Sequence, residues 1–365
     1  MRVLHFVTGG FSGATQVAVD LCLAAQRTGD QEVLLVLRRK RHTSNERVNA
    51  LRAQGLDVRV VPGWLHLLTI WTLYRLCLSW KPDVLAAHGF SEHLWGRFAG
   101  LLAQVKVLVQ VEHNTRERYR WWRLKQSLWL AQRSHSLVGV SYAVRDTLVR
   151  LGHPPDLCTA IQNGVDLDRW QPGLPWRDRE TAMVMPARFA SAKDHATLIR
   201  AVALLKTKGW QMPVYLAGDG KAIWRKRAEQ LCESLGVTDQ VYFLGRVSDL
   251  PALMARVKYC VLSTHHEGLS LGLIEGMAAG CVGVGSDVEG AQEIMASGQT
   301  GLLVPESSPE QLADAFARLL ADDAWAASLA EAGCLHVRQT FDKRQMHQRY
   351  HRLFSTLLDR QPALS

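Results

Sequence analysis

Two glutamates, Glu267 and Glu275, stand eight positions apart across a Gly-Leu-Ser-Leu-Gly run. Residues 259–264 before them are apolar and bounded by polar ones, which reads as a short buried strand. Residues 271–279 after them read as a short helix stopped by Gly280. Glu267 then lies on the loop leaving the strand and Glu275 inside the helix. The first N–H groups of that helix, at Ser270 and Leu271, lack intrahelical partners and sit at its positive end, which attracts phosphate. A ligand carrying both hydroxyls and phosphates suits such a crevice. Two glutamates at this spacing also arise by chance on a capped surface helix, so the rest of the chain must decide.

Other residues carry compatible chemistry. Arg188 and Lys193 flank a short turn after a strand at 183–187, and two fixed cations there can grip a diphosphate and stabilise it as it departs. Taken alone they read equally well as surface charges. In the first half, residues 3–8 form an apolar strand running into Gly9-Gly10-Phe-Ser-Gly13 and a helix at 17–27, an arrangement that lets backbone approach phosphate. The strand at 105–111 ends in Glu112-His113, and a histidine at a strand tip faces a crevice. Residues 116–129 hold five basic residues, one acid and four aromatics. As a helix this segment puts Arg116, Arg120 and Arg123 on one face and Trp121, Leu124 and Leu128 on another, with Trp122 between. That suits an anionic membrane surface or a lipid-phosphate acceptor; the plainer reading is a solvated helix. Stacked aromatics with Arg also suit single-stranded nucleic acid, but no nucleic-acid motif accompanies them, so no such partner is expected.

The elements that must position these residues alternate along the chain. In the first half, strands at 32–37, 56–61 and 82–88 alternate with helices at 45–54 and 65–80, a doubly wound pattern with ligands at the C-terminal strand ends. The 65–80 helix contains His66 and Arg75 and is too short to span a bilayer; it reads as a core helix with one buried face and no membrane role. A strand at 136–140 leads through Ser141 as N-cap into a helix, and Asn163-Gly164 reads as a tight turn with positive φ available. Residues 171–179, with two Pro and a Gly, read as a linker. A second α/β pattern then runs through a strand and turn ending at Gly218, a strand ending near Arg246 and Val247, and the glutamate unit itself.

Length and composition agree. At 365 residues, 47% of them hydrophobic, the chain is long enough for two packed domains. Residues 1–175 hold 22 Lys+Arg against 13 Asp+Glu, so the whole formal excess of +9 lies in the first half, with eight of the 12 Trp. This asymmetry suggests different partners for the two halves. Seven scattered Cys form no CxxC or Cys/His cluster, which fits a reducing cytosol. The N-terminus reads as a strand and not as a signal peptide.

Taken in order, these motifs resemble the retaining GT-B glycosyltransferases of glycosyltransferase family 4. The Glu267-x7-Glu275 pair, the Asn163-Gly-Val-Asp segment, the Val-Ser-x-x-Val-Arg-Asp run at 140–146, and the Arg188/Lys193 strand end all match. Gln16 stands where the family's first Gly loop usually has an acid, and Glu289 interrupts its later Gly pair. The resemblance implies an α/β GT-B fold of two Rossmann-like domains facing across a cleft: residues 1–170, completed by a helix at 342–365, on the acceptor side, and 171–341 on the nucleotide-sugar side. It implies retention without a metal or other cofactor. It gives His113, Arg188, Lys193 and Glu267 to the reaction. To donor binding it gives Gly10, Gly13, Asn163, Gly218, Arg246, Val247, Ser270, Leu271 and Glu275. The donor is expected to be a UDP-, GDP- or ADP-sugar. The acceptor is expected to be a glycan or lipid-linked saccharide at the inner face of a membrane, reached through Arg116, Arg120, Trp121, Trp122 and Arg123. Two rivals remain: an NADP-dependent oxidoreductase, from Gly9, Gly10, Gly13 and the basic 38–40 run, and a non-catalytic sugar-nucleotide-binding subunit.

Overall fold

The computed structural model describes residues 1–41, 43–116 and 119–361. The chain divides into two compact α/β units, one of Met1–Gly164 plus the segment from Lys343 onward, the other Val165–Asp342.

In the first unit β1 (Arg2–Thr8), β2 (Glu32–Arg38), β3 (Asp57–Val61), β4 (Val84–His88), β5 (Val107–Glu112), β6 (Ser136–Gly139) and β7 (Cys158–Ala160) form one sheet. Its order is β3-β2-β1-β4-β5-β6-β7, and every pair is parallel. The strands alternate with α1 (Gly13–Thr28), α2 (Asn45–Ala53), α3 (His66–Trp80), α4 (Glu92–Leu102), α5 (Trp121–Ala131) and α6 (Tyr142–Arg150). Central strands are nearly continuous apolar runs because helices cover both sheet faces. One face packs Phe6, Leu85 and Leu108 against Leu73 of α3, Trp95 of α4 and Leu130 of α5. The other packs Val7, Leu35 and Leu37 against Ala18 and Cys22 of α1 and Val48 of α2.

The second unit holds β8 (Glu180–Met185), α7 (His195–Thr207), β9 (Val214–Ala217), α8 (Ala222–Leu235), β10 (Val241–Gly245), α9 (Leu250–Arg256), β11 (Val257–Leu262), α10 (Leu271–Ala278), β12 (Val282–Ser286), α11 (Glu289–Gln292), β13 (Leu302–Val304), α12 (Pro309–Ala321) and α13 (Asp323–Thr340). Its parallel sheet runs β10-β9-β8-β11-β12-β13. The last helix, α14 (Lys343–Asp359), belongs to the first unit and packs on α1 and β5. It buries Met346, Tyr350, Phe354 and Leu357 as one stripe. In both sheets the order reverses once, between β1 and β4 and between β8 and β11, and such reversals open a crevice at the C-terminal strand ends.

The structure corrects several expectations. The boundary falls at Gly164/Val165 rather than at 170, because Val165, Leu167 and Trp170 are buried in the core of the second unit. Asn163-Gly164 is not a positive-φ turn. The chain runs on into Val165, which bridges Asp342, while the Gly164 N–H points at Met346 Sδ, 3.3 Å away. The basic segment is not one helix. Glu117 and Arg118 lie outside the described residues, Arg120 is an extended N-cap, and α5 starts only at Trp121, so Arg116 and Arg120 precede the helix. Trp121 is exposed, whereas Leu124 and Leu128 are partly buried. Finally, α3 is not simply a core helix: it displays Leu67, Trp71 and Leu78 outward.

Candidate functional site

In the second unit the expected residues gather where the strand order reverses. Arg188 follows β8 on a short rung, in which the Phe189 N–H donates to the Asp219 carbonyl at 3.0 Å and the Lys221 N–H to the Phe189 carbonyl at 3.0 Å. Gly218 and Gly220 permit this rung, because a Cβ at either would run into backbone of Ala187, Arg188 or Phe189. Gly218 thus acts by letting the Arg188 loop close in. Arg188 itself is exposed and has no ion pair among the described residues.

The next turn is stitched to the tip of β11. The Asp194 N–H donates to the Ser263 carbonyl at 3.0 Å, the His265 N–H to the Ala192 carbonyl at 2.9 Å, and Thr264 Oγ1 to the same Ala192 carbonyl at 2.8 Å. These bonds bring Lys193 against Glu267, and the two form an ion pair, each side chain 19% exposed. No local pattern marks these two as partners, since 74 residues separate them. Asp194 also caps α7 through the Thr197 N–H at 3.1 Å.

Glu267 is held from behind by α11. A Cβ at Gly290 would lie 2.5 Å from the Glu267 carbonyl oxygen and 2.7 Å from that of Gly268. Ser270 caps α10, accepting from the Leu273 N–H. The N–H groups of Ser270 and Leu271 donate to no acceptor among the described residues. A Cβ on Gly272 would stand 3.0 Å from the Pro186 carbonyl, so this helix start lies close against the β8 exit that leads to Arg188. Glu275 is half-buried one turn into α10. Arg246 is exposed at the end of edge strand β10, and Val247 packs partly against the core. His265 belongs to this cluster, with Nδ1 2.8 Å from Glu306 Oε1. Sequence reasoning passed over it and over Gly290, although a His-His pair directly before Glu267 at a strand tip was a readable signal.

In the first unit the expected residues line neighbouring strand ends. The His113 N–H donates to its own neighbour Glu112 Oε1 at 2.9 Å, the Val140 N–H to the Glu112 carbonyl at 3.1 Å, and the Asn163 N–H to the Val140 carbonyl at 3.2 Å. Asn163 is buried, and its Oδ1 has no partner among the described residues. Beneath His113 lie two more histidines. His88, at the end of β4, has its ring centroid 5.6 Å from that of His113, and its Nε2 is 3.0 Å from His5 Nδ1. Burial lowers the pKa of all three: His5 and His113 to about 3, and His88 well below the usual histidine value, helped by the neighbouring rings. They are neutral at physiological pH, when a ring can offer both a donor and an acceptor. Gly13 opens α1, and Gly10 meets only Thr8 Oγ1 and Lys40 Cγ at ordinary distance, so the sterically required glycine of this loop is Gly9, whose Cβ would lie 2.7 Å from the Arg38 carbonyl.

The basic run after β2 is engaged elsewhere. Arg38 is buried with Nη1 3.3 Å from Glu92 Oε1, and Lys40 Nζ is 3.0 Å from the same oxygen. Arg38 is thereby held inside the fold, while Lys40 shares the same carboxylate from a partly exposed position and Arg39 is exposed.

Two parallel-sheet Rossmann-like units, with charged loops gathered at each strand-order reversal, define the GT-B architecture. The chain belongs to the GT-B glycosyltransferases of family 4: residues 11–169 match the family described as Glycosyltransferase Family 4, and residues 166–334 match Glycosyl transferases group 1. Among curated relatives, the lipopolysaccharide core biosynthesis glycosyltransferase LpsE of Rhizobium meliloti is 34% identical over 169 residues, 46% of this chain and 47% of that protein. The first curated relatives are matched over less than half of their own length. LpsD of the same organism, also a lipopolysaccharide core biosynthesis glycosyltransferase, is 25% identical over 361 residues, 97% of this chain and 98% of that one. Among solved structures, Anabaena HepE in complex with UDP-glucose superposes with a TM-score of 0.85 at 21% identity, covering 98% of this chain and all of that one. At that identity the likeness is one of fold.

Proposed function

We propose that the protein transfers a sugar, with retention of anomeric configuration, from a nucleoside-diphosphate donor to a hydroxyl of a glycan or lipid-linked saccharide. The observation that carries this reading is the cluster in the second unit: unpaired Arg188, the Lys193–Glu267 pair and the open start of α10 on adjoining loops. In this reading the donor's diphosphate meets Arg188, Lys193 and the Ser270 and Leu271 N–H groups. These donors stabilise the charge that develops as the anomeric carbon–oxygen bond breaks. Glu267 accepts from the sugar hydroxyls while keeping the Lys193 ammonium in place. Glu275 accepts from the ribose hydroxyls, and Arg246 and Val247 border the base. In the first unit, neutral His113 can offer a ring hydrogen bond to a sugar hydroxyl, with Asn163, Gly10 and Gly13 at neighbouring strand ends. No metal enters the proposed reaction, since protein cations supply the positive charge.

The relatives support this choice of substrate. HepE was solved with UDP-glucose, and two relatives carry names of lipopolysaccharide core biosynthesis. UDP-sugars are therefore the first donors to test, with GDP- and ADP-sugars beside them, and a saccharide on a lipid carrier at the inner membrane face is the acceptor class. A donor-hydrolysis screen over the three nucleotide classes, in buffer with and without EDTA, tests the reaction. Proton NMR of the product's anomeric coupling tests retention. Turnover of no donor, coupled with a thermal upshift by NADPH, would replace the proposal with the oxidoreductase reading. Nucleotide-sugar binding without turnover of any acceptor would leave the binding-subunit reading.

A further inference from the structure

The first unit carries a surface that sugar transfer does not need. Helices α3, α4 and α5 form one layer over the sheet, packed into a common core through Leu73, Trp95 and Leu130. The middle helix is sunk. Gly96 and Gly100 let it press onto the strands, where a Cβ would meet Ala87 Cβ at 2.7 Å and Leu108 Cδ2 at 2.5 Å. The flanking helices pack on the same core and keep large apolar side chains exposed to solvent on their other sides.

Those sides are unusual for a protein surface in water. On the α3 side Trp64 is 77% exposed, Leu67 75% and Trp71 57%, and Leu78 continues the stripe at helical spacing. On the α5 side Trp121 is 71% exposed and Trp129 43%. Cations are set among them. Arg75 lies over Trp71, Lys125 over Trp121 at 5.0 Å, and Arg133 over Trp129 at 3.9 Å. The three helices contain a single acid, Glu92, which is buried and paired with Arg38 and Lys40. Among the described residues, the outer sides of these helices therefore present Trp, Leu, Arg and Lys and no carboxylate.

We infer that the outer face of α3 and α5 is a two-ridged docking surface for an anionic lipid bilayer, with Trp64, Leu67 and Trp71 on one ridge and Trp121 and Trp129 on the other. Contiguous exposed apolar side chains mark an interaction surface. The lack of an exposed acid in these helices, with a cation beside Trp71, Trp121 and Trp129, matches negative lipid headgroups and the headgroup-level preference of indole rings. No helix among the described residues is long and apolar enough to cross a membrane, so contact is in the plane of the interface. This deepens the lipid-linked acceptor reading above and rests on it for its purpose, though not for its physics. What is new is the α3 ridge: α5 alone offers a single short helix, and two parallel ridges fix the orientation of the unit on the surface.

The test is vesicle flotation with the full chain, on phosphatidylglycerol/phosphatidylethanolamine vesicles and on neutral phosphatidylcholine vesicles, at low and high salt. Flotation is expected with the anionic vesicles only, and salt should weaken it. Trp64→Ser with Trp71→Ser should abolish it although α5 is intact. Arg75→Gln and Lys125→Gln should each weaken it by about fivefold, the factor for one cation near an anionic surface. Leu335→Ser, at an exposed apolar residue of the second unit, should change nothing. Circular-dichroism melting of each variant checks that the fold is kept. Full flotation by the α3 double variant overturns the proposal, and so does equal binding to neutral vesicles. Light scattering is read in parallel: a dimer that the same variants dissociate, without vesicle binding, would make this face a contact between copies and overturn the lipid assignment. UDP-sugar binding on the same preparations reads the transfer proposal separately, so either can fail alone.

Discussion

Replacing Gly290 with alanine tests whether Glu267 works through its position. Gly290 is the second residue of the short helix α11 behind the Glu267 loop, where a Cβ would sit 2.5 Å from one backbone oxygen and 2.7 Å from the next. Backbone cannot swing aside as a side-chain tip can, so the Glu267–Gly268 segment must retreat by about 0.5–1 Å to reach ordinary contact, the scale of shift that overpacking forces at about 1–3 kcal/mol. For a unit of this size that lowers Tm by about 2–4 °C per kcal/mol. Turnover should suffer more, because misplacing a reacting group by about 1 Å costs on the order of 100-fold. Gly298→Ala is the matched control. Gly298 has φ of 78° with nothing within 4 Å of its Cβ, so alanine there brings only left-handed strain of about 1 kcal/mol and should leave turnover alone. The assay is differential scanning calorimetry beside steady-state donor turnover. Gly290→Ala with turnover within a few-fold of wild type, and a Tm loss no larger than that of Gly298→Ala, would refute the idea that this contact sets the position of Glu267.

Arg188→Ala should cut kcat by about 10²–10³, as removal of a charge-stabilising donor does. It should move stability by no more than about 0.5 kcal/mol, because an exposed residue without partners holds nothing together; equal losses of Tm and kcat would contradict the role. Ser270→Ala removes the cap of α10 and should cost about 1 kcal/mol, read as a shift in urea midpoint. His5 titrates near 3 when folded against 6.5 when free. Above pH 6.5 neither state is protonated and the group is neutral to stability. Below it the unfolded chain takes up a proton that the folded chain refuses, so stability falls by about 1.4 kcal/mol per pH unit down toward pH 3. In urea melts between pH 6 and 4, His5→Gln, which keeps a hydrogen-bonding partner for His88, should show a slope shallower by about that amount; an unchanged slope would mean His5 is protonated in the native state.

The sequence by itself determined the class of fold, most of the strands, and the identity of the charged residues at the strand ends. Each of these rests on local information: apolar runs, helix caps such as Ser141 and Ser270, and glycines that stop or turn the chain. Helices α4, α8, α11 and α13 were not legible in the sequence. Tertiary structure decided what local pattern cannot carry. Lys193 and Glu267 become partners only because the turn after β8 is hydrogen-bonded to the tip of β11, across 74 residues. The basic 38–40 run looked like a phosphate site until folding placed Glu92 among its cations. The unit boundary moved because burial of Trp170, not the prolines after it, fixes where one core ends. The same holds for α3: its composition reads as a core helix, and only the fold shows that Leu67 and Trp71 stay in water. Periodicity tells which side chains share a face of a helix, but the neighbouring elements determine whether that face is covered.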